Sequence, residues 1–362
     1  MNPKNYIIIV NYNGWRDTIE CIESIFKINY PNYQIIVVDN NSSGNDLRYL
    51  MSWLKGELEI TISSHTQLHH LCNPPQKKPI PFFYYSAEEI ELGKNILSEI
   101  NSIGYTQSNY SSYPVILIET KKNLGFAYGN NVGIKYVLRK DDFEYVWFLN
   151  NDTVVENNSL DELVKKAEEY NKSGTKIGII GAKLMYYDEP DKLQGVGGKY
   201  NRFFGTIKHI GESQIDRGKY DTDIKFDYVL GASMHVKKQF LLDVGFMCEE
   251  YFLYFEELDW IERGKKQGWN IGYCWKIKVY HKGGKSAGSN ITNNQIGKLI
   301  DYYQLKNRII FTKKFYPLCL ITVYIGFIFV LFNRMRRRQI DRAKMIIDIL
   351  LGRKNHKMYN IQ

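Results

Sequence analysis

Three observations predict an α/β fold built on a mostly parallel, Rossmann-like sheet. The first is a set of continuous apolar runs: Tyr6–Val10, Ile35–Val38, "VILIET" and "YVWFLNND". Strands with no polar alternation are strands buried on both faces, as in parallel sheets covered by helices. The second is that segments with helical apolar spacing separate these runs, the alternation expected of βαβ units. The third is that the runs end in short polar clusters: Asn11-Tyr12-Asn13-Gly14, Asp39-Asn40-Asn41-Ser42 and Asn150-Asn151-Asp152. In such sheets ligands bind beyond the carboxyl ends of the strands, so these clusters are expected to line one crevice.

The elements follow in order. The first strand and its turn lead into a helix carrying Ile19, Ile22, Ile25 and Phe26 on one face. The second strand ends at Asp39. Residues 57–113 then read as an insertion: the Pro-rich, aromatic "NPPQKKPIPFFYY", an amphipathic helix near Ala87–Ile100, and the polar "TQSNYSSY". Such an excursion serves as a lid, an acceptor-contacting flap or a passive surface loop. His69, His70 and Cys72 lie inside it, without the second ligand pair that a metal site needs. The third strand, the helix "NLGFAYGNNVGIKYVL" and the fourth strand complete the repeating part. "GIIGAKLMYY", the Gly-rich "GVGGKYNRFFG", "FDYVLGASMHVKKQFLLDVGF" and "YFLYFEELDWIERGKKQGW" come next. The expected division is one domain over residues 1–300 and a C-terminal apolar and basic segment over 301–362.

With 362 residues, 44% hydrophobic, the chain buries a sizeable core. Its net charge of +9 suggests an anionic partner: nucleic acid, nucleotide or membrane. Five scattered cysteines, none in a CxxC pair, argue against a disulfide framework or a zinc ribbon and favour a reducing compartment. The first apolar run is too short for a signal-peptide core, so the expectation is an N-terminal domain that stays in the cytosol. No GxGxxG follows the first strand and no GxxxxGK[ST] occurs, which disfavours dinucleotide-cofactor and P-loop chemistry.

Hard cations take oxygen ligands, with only one or two carboxylates when substrate phosphates complete the shell. Asp152, with Asn150 and Asn151 beside it at a strand end, suits that task; the alternative is an ordinary solvated turn. Asp39 and Asn40 end the neighbouring strand, where they would meet a base or ribose. Asn123, Gly125, Asn130 and Asn131 bracket a helix start, where free N–H groups favour phosphate. Glu256, Glu257 and Asp259 open a helix as three carboxylates in four residues. Asp259 and Arg263 are spaced for an i,i+4 ion pair, which leaves Glu256 and Glu257 for proton abstraction, or for a plain charged helix start. His281, at a strand end before a glycine loop, is either structural or completes the metal shell.

Together these pieces resemble family 2 glycosyltransferases of the GT-A fold, in the rhamnosyltransferase-like branch of bacterial surface polysaccharide synthesis. The matching motifs are "VNYNG", "VVDNNS", "NLGFAYGNNVGI", "FLNNDTVV", "GASMHVKK", "YFLYFEELDWIERGKKQGW" and "HKGGKSAG", over Tyr6 to Ser286 apart from the insertion. The resemblance implies that Asn150-Asn151-Asp152 stands at the family's metal-binding DxD motif, with Asp152 the matching ligand and His281 a second. Asn150 replaces the first DxD carboxylate, which implies weaker metal affinity. It further implies that Asn11, Asp39 and Asn131 line the nucleotide site beside Asn13. Glu257 falls where many relatives carry a catalytic aspartate; it is one methylene longer, and Asp259 is the nearest substitute.

The implied reaction is metal-assisted (Mn²⁺ or Mg²⁺) single displacement with inversion, from a dTDP- or UDP-linked sugar to a glycan hydroxyl. Nucleic acid is not an expected partner. Two other readings are a nucleotidyltransferase and a catalytically silent sugar- or membrane-binding module on the same fold. Phe315 to Phe332 is uncharged, with Lys313-Lys314 before it and Arg334, Arg336, Arg337 and Arg338 after it. A span would place one cationic cluster on the trans side, against the positive-inside tendency. The expectation is therefore a peripheral or re-entrant segment on the cytoplasmic face of the membrane, serving a lipid-linked acceptor.

Overall fold

The computed structural model describes residues 2–61, 67–93, 114–283 and 293–353. Asn5–Asn11 forms β1, buried everywhere but at Val10. It leads through the Asn13-Gly14 turn into α1 (Trp15–Ile25), which turns Ile19, Ile22 and Ile25 inward. β2 (Tyr33–Asp39) is buried along its whole length, and α2 (Asp46–Lys55) follows it. The insertion holds the short α3 (His69–Cys72), β3 (Phe82–Ser86) and α4 (Ala87–Leu92). Then come β4 (Val115–Glu119), α5 (Phe126–Lys140), β5 (Tyr145–Asn150), β6 (Thr153–Val155) and α6 (Ser159–Lys172). β7 (Ile177–Tyr186), β8 (Leu193–Gly195), a β9/β10 hairpin (Gly198–Asn201, Thr206–His209) and β11 (Ser233–Lys237) precede α7 (Lys238–Val244) and α8 (Glu256–Lys266). β12 (Asn270–His281) closes the sheet, and α9 (Asn293–Phe315), α10 (Leu320–Arg336) and α11 (Ile340–Leu350) end the described chain.

The main sheet runs β3-β4-β2-β1-β5-β11-β7-β12-β6. Its first five strands are all parallel. β11 enters antiparallel between β5 and β7, and β7 pairs parallel with β12. Register decides what meets at the carboxyl edge: Asn11 pairs with Asp39, Asp39 with Glu119, and Val10 with Asn150. On the far side His281 pairs with Thr153, next to Asp152. Paired strand ends 28 to 140 residues apart in sequence thus share one rim.

α5 lies unusually near β1, and its glycines explain how. A Cβ at Gly129 would sit 2.7 Å from Val10 Cγ1, and one at Gly133 2.8 Å from Ile8 Cγ2. Two glycines four residues apart clear one helix face, letting the helix backbone rest on the strand.

The insertion is in part a piece of the sheet. β3 pairs parallel with β4, from Phe82↔Val115 to Ser86↔Glu119. Ser86 then caps α4 with a reciprocal box, its side chain accepting from Glu89 N–H while the Glu89 carboxylate takes the Ser86 N–H. The helix expected over Ala87–Ile100 is described as far as Leu92; its remainder, "TQSNYSSY", and residues 284–288 of the "HKGGKSAG" motif lie outside the described residues. His69 and His70 are exposed while Cys72 is buried, so the three do not converge.

α9 crosses residue 300 without a break. Pro317 opens a short 3-10 turn that separates it from α10. α9, α10 and α11 pack on a small core of Val323, Phe327 and Ile346.

Candidate active site

At the β1/β2 end the polar residues bind one another. Asn11 Nδ2 donates to Asp39 Oδ1 (2.6 Å), Ser42 Oγ (3.1 Å) and Asp46 Oδ2 (3.2 Å). Its Oδ1 accepts from Thr18 Oγ1 (2.7 Å), and Thr18 in turn accepts from Asn151 Nδ2 (3.1 Å). Asn13 Oδ1 accepts from the Ser43 N–H. Burial pushes Asp39 above the ordinary carboxyl range, against the opposing hydrogen bonds from Ser42 and Asn11. Such a network holds the Asp39 carboxylate at a fixed place on the rim.

The β2 turn is tied to the start of α5. Asn40 Nδ2 donates to Asn123 Oδ1 (3.0 Å) and to the Gly125 carbonyl (3.0 Å). Gly125 has a φ of +102°, and a Cβ there would lie 2.2 Å from the Phe252 carbonyl oxygen, so only glycine fits. Asn130 donates back to the Phe126 carbonyl inside its own helix. Asn131 exchanges hydrogen bonds with the Met247 backbone, at 2.9 Å each way, and donates to Glu249 (2.8 Å). Its side chain pins the segment before α8 to α5 and is fully used in doing so.

The second cluster gathers Asn150, Asp152 and His281. His281 Nε2 lies 3.1 Å from Asp152 Oδ1 and 3.2 Å from Asn150 Nδ2. Gln194 Oε1 accepts from His281 Nδ1 at 2.6 Å. With Nδ1 protonated for that bond, Nε2 turns its lone pair toward Asp152, the second-sphere arrangement of ligating histidines. Two acceptors facing at 3.1 Å need a cation or a proton between them. Asn150 Oδ1 is buried and has no hydrogen-bond partner among the described residues. One carboxylate, one imidazole and one amide oxygen fit a divalent cation that keeps further positions for water and diphosphate. No group of three or more His, Cys, Asp or Glu is placed to hold a metal ion by itself among the described residues. Beside the cluster, Lys282 donates its backbone N–H to the Asp152 carbonyl and pairs with Asp17 and Glu20.

The third cluster opens α8. Glu256 Oε2 and Glu257 Oε2 are both buried without hydrogen-bond partners among the described residues. Loss of solvent raises Glu257 to about 7, and Glu256 well above its ordinary range, with the neighbouring Glu257 charge adding to it. The Glu257 carboxyl packs over Gly231, where a Cβ would be 3.9 Å from its Cδ. The next residue, Ala232, accepts the Asn150 N–H at 3.1 Å. The carboxyl pair and the Asn150 cluster are therefore neighbours on the rim.

Asp259 and Arg263 are placed elsewhere. Asp259 is fully buried and saturated by Arg263 Nε (2.7 Å), Lys314 Nζ (2.6 Å) and Tyr251 Oη (2.9 Å). Arg263 spends its other donors on the Val244 and Phe246 carbonyls. The i,i+4 pair forms as expected, and both ends are occupied by structure.

Four contributors were given no individual role in the sequence reading. Ser42 and Asp46 are close enough to Asp39 in sequence to have been found. Gln194 arrives from β8 and carries no local signal, whereas Gly231 opens the "GASMHVKK" motif just before β11.

Over 209 residues the chain is 25% identical to the low-salt glycan biosynthesis hexosyltransferase Agl10 of Haloferax volcanii, covering 55% of this chain and 64% of that one. Over 204 residues it is 26% identical to the dTDP-rhamnosyl transferase RfbF of Shigella flexneri, again covering 55% and 64%. The chain thus spans less than two thirds of either relative. A likeness of TM-score 0.48 at 10% identity joins it to the mannosyltransferase PcManGT of Pyrobaculum calidifontis, covering 99% of this chain and 88% of that one. The model of the family described as glycosyl transferase family 2 matches residues 6–71 and 101–219, half of the chain. With a GT-A sheet and three polar clusters on its carboxyl rim, the chain belongs to glycosyl transferase family 2.

Proposed function

We propose that the protein is an inverting, divalent-metal-dependent glycosyltransferase that moves rhamnose or a related hexose to a glycan hydroxyl. The donor in this reading is a dTDP- or UDP-linked sugar, and the acceptor is lipid-linked at the cytoplasmic face of the membrane. The observation that carries it is the pair of buried Glu256 and half-buried Glu257, each with a buried, unpartnered Oε2, beside the Asn150, Asp152 and His281 cluster. A carboxyl with its proton affinity near neutrality is matched to taking a proton from an alcohol at working pH.

In the mechanism Glu257 accepts the acceptor's hydroxyl proton. That oxygen bonds to the anomeric carbon from the face opposite the diphosphate, and the bond from anomeric carbon to diphosphate oxygen breaks. Glu256 stays protonated alongside, because two adjacent buried carboxyls do not both ionise. Asp39, held by Asn11 and Ser42, meets the base or ribose. Asp152, His281 and Asn150 would hold Mn²⁺ or Mg²⁺, which when bound offsets charge on the departing diphosphate. Family membership sets the nucleotidyltransferase alternative aside, and the rhamnosyl transfer named for a relative supports the donor reading.

Membrane attachment rests on α10. The stretch Pro317–Arg336 is long and apolar enough to cross a membrane, and here it lies along the protein with one face bare. Val323 and Phe327 are buried, whereas Leu318 is 93%, Ile321 72% and Phe329 65% exposed. The tip of the β9/β10 hairpin joins this face: Thr322 donates to the Phe203 carbonyl, and Phe203 and Phe204 are half exposed. Arg336, Arg337 and Arg338 stand exposed at one end and Lys313 at the other. An apolar stripe between cations suits a helix lying in an anionic leaflet.

The test is a panel of nucleotide sugars incubated with purified protein, Mn²⁺ and candidate lipid-linked glycans. Transfer from a dTDP- or UDP-sugar with an inverted anomeric product supports the reading. Retention of configuration, or binding with neither transfer nor donor hydrolysis, overturns it.

A further inference from the structure

The loop before α8 is held in a conformation its own residues disfavour. Phe252, Tyr254 and Phe255 have φ values of 62°, 68° and 77°, the left-handed region, and none is glycine. Such residues are strained and persist only where the surroundings over-determine them. Phe255 is the residue from which α8 starts, so this loop sets where Glu256 and Glu257 point.

The restraint comes from α9. Asn307 is fully buried, and the two hydrogens of its Nδ2 are shared among three loop carbonyls: Tyr251 (2.9 Å), Leu253 (2.7 Å) and Tyr254 (2.9 Å). One turn earlier Tyr303 stacks on Phe252, with ring centroids 4.8 Å apart and planes at 15°. One turn later Phe311 packs on Phe255 at 5.5 Å. Lys314 and Tyr316 then reach α8 itself, through Asp259 and Glu262. Helical spacing at 303, 307, 311 and 314 presents one continuous face to the loop. The same helix leads through the Pro317–Cys319 turn into α10, which carries the face assigned above to the membrane.

We propose that Asn307 is a positioning residue for the transfer reaction, holding the strained 251–255 loop so that Glu257 stays desolvated at the rim. This rests on the reading of Glu257 as the base. No local loop residue supplies these three hydrogen bonds, and a side-chain amide that meets three carbonyls in one loop fixes its path. Without them the loop relaxes toward right-handed backbone, α8 loses its starting angle, and water reaches the carboxyl.

The test compares Asn307→Ala with Phe327→Ala, which loosens the core of α9 to α11 without touching the loop. Misplacing a reacting group by about 1 Å costs about 10²-fold. Asn307→Ala is therefore expected to lose about 10²-fold in kcat, with nucleotide affinity by calorimetry unchanged. The acid limb of its kcat/KM profile should move from near pH 7 toward the ordinary glutamate range, as Glu257 is re-solvated beside Glu256, Tyr228 and Tyr254. Phe327→Ala should lower Tm while keeping the wild-type kcat and limb. If Asn307→Ala does not fold, Tyr303→Leu removes the stacked ring instead and should show the same displaced limb with a smaller loss. An unmoved limb in whichever of these two variants folds, or the same shift in Phe327→Ala, overturns the proposal. Glu257→Gln separates the two readings: if it turns over like wild type while Asn307→Ala does not, the base assignment falls and the clamp stands.

Discussion

Replacing Glu257 by glutamine is expected to make the protein more stable and less active at once. Burial lifts this carboxyl from an ordinary 4.5 to about 7. A group with a raised folded-state proton affinity favours the folded state while protonated and opposes it once ionised. Its penalty is therefore small at acidic pH and grows as pH rises from about 4.5 through about 7. At pH 8 the linkage amounts to about 3 kcal/mol, and at pH 5 to less than about 1 kcal/mol. Glutamine keeps the shape and never ionises, so Glu257→Gln should recover most of that difference. For a chain of this size about 3 kcal/mol corresponds to about 4 °C in Tm. The assay is calorimetric unfolding of both proteins at pH 8 and pH 5, with transfer rates measured on the same preparations. The expected result is a Tm raised at pH 8, nearly unchanged at pH 5, and a rate reduced at least about 10²-fold. A lower Tm at pH 8, or the same increment at both pH values, would show that Glu257 is not held desolvated. The argument for it as the base would then fail.

Three further outcomes are expected. Asp152→Asn should abolish turnover, EDTA should do the same to wild type, and added Mn²⁺ should restore only the latter; activity that survives EDTA refutes the metal reading. Gly133→Ala puts a methyl 2.8 Å from Ile8 Cγ2 and should cost about 1–3 kcal/mol by overpacking, read as a lower denaturation midpoint with unchanged slope. Ile321→Glu/Ile325→Glu/Phe329→Glu charges the bare stripe of α10 and should abolish co-sedimentation with anionic vesicles while leaving soluble-acceptor activity intact. Equal vesicle binding by wild type and the triple variant removes the membrane surface.

A truncation meant to test the membrane role has to leave α9 whole. Removing everything after Lys306 would delete Asn307, Phe311 and Lys314 together with α10, so lost activity would report the broken loop as much as the lost membrane face.

The parallel half of the sheet was legible in the chain because its strands are uninterrupted apolar runs, and burial on both faces leaves no other arrangement. The strand-end clusters followed from the same logic: the Asn11, Asp39 and Asn150 positions are where such runs stop. The ion pair of Asp259 with Arg263 was readable because helix geometry fixes i,i+4 neighbours whatever the rest of the fold does. Other features required the folded chain. That β3 of the insertion extends the sheet depends on the pairing of Phe82–Ser86 with β4, and edge pairing of a short aromatic strand has no local signature. That Gln194 orients His281, and that Gly231 lies under Glu257 of α8, are contacts between residues that only the folded chain brings together. The role of α9 was least visible, since Asn307 is an ordinary polar residue in a helix until the loop it holds is folded against it. Local sequence determines which backbone a segment prefers. Only tertiary packing decides which distant side chain satisfies its carbonyls, and so which carboxyl is left dry at the rim.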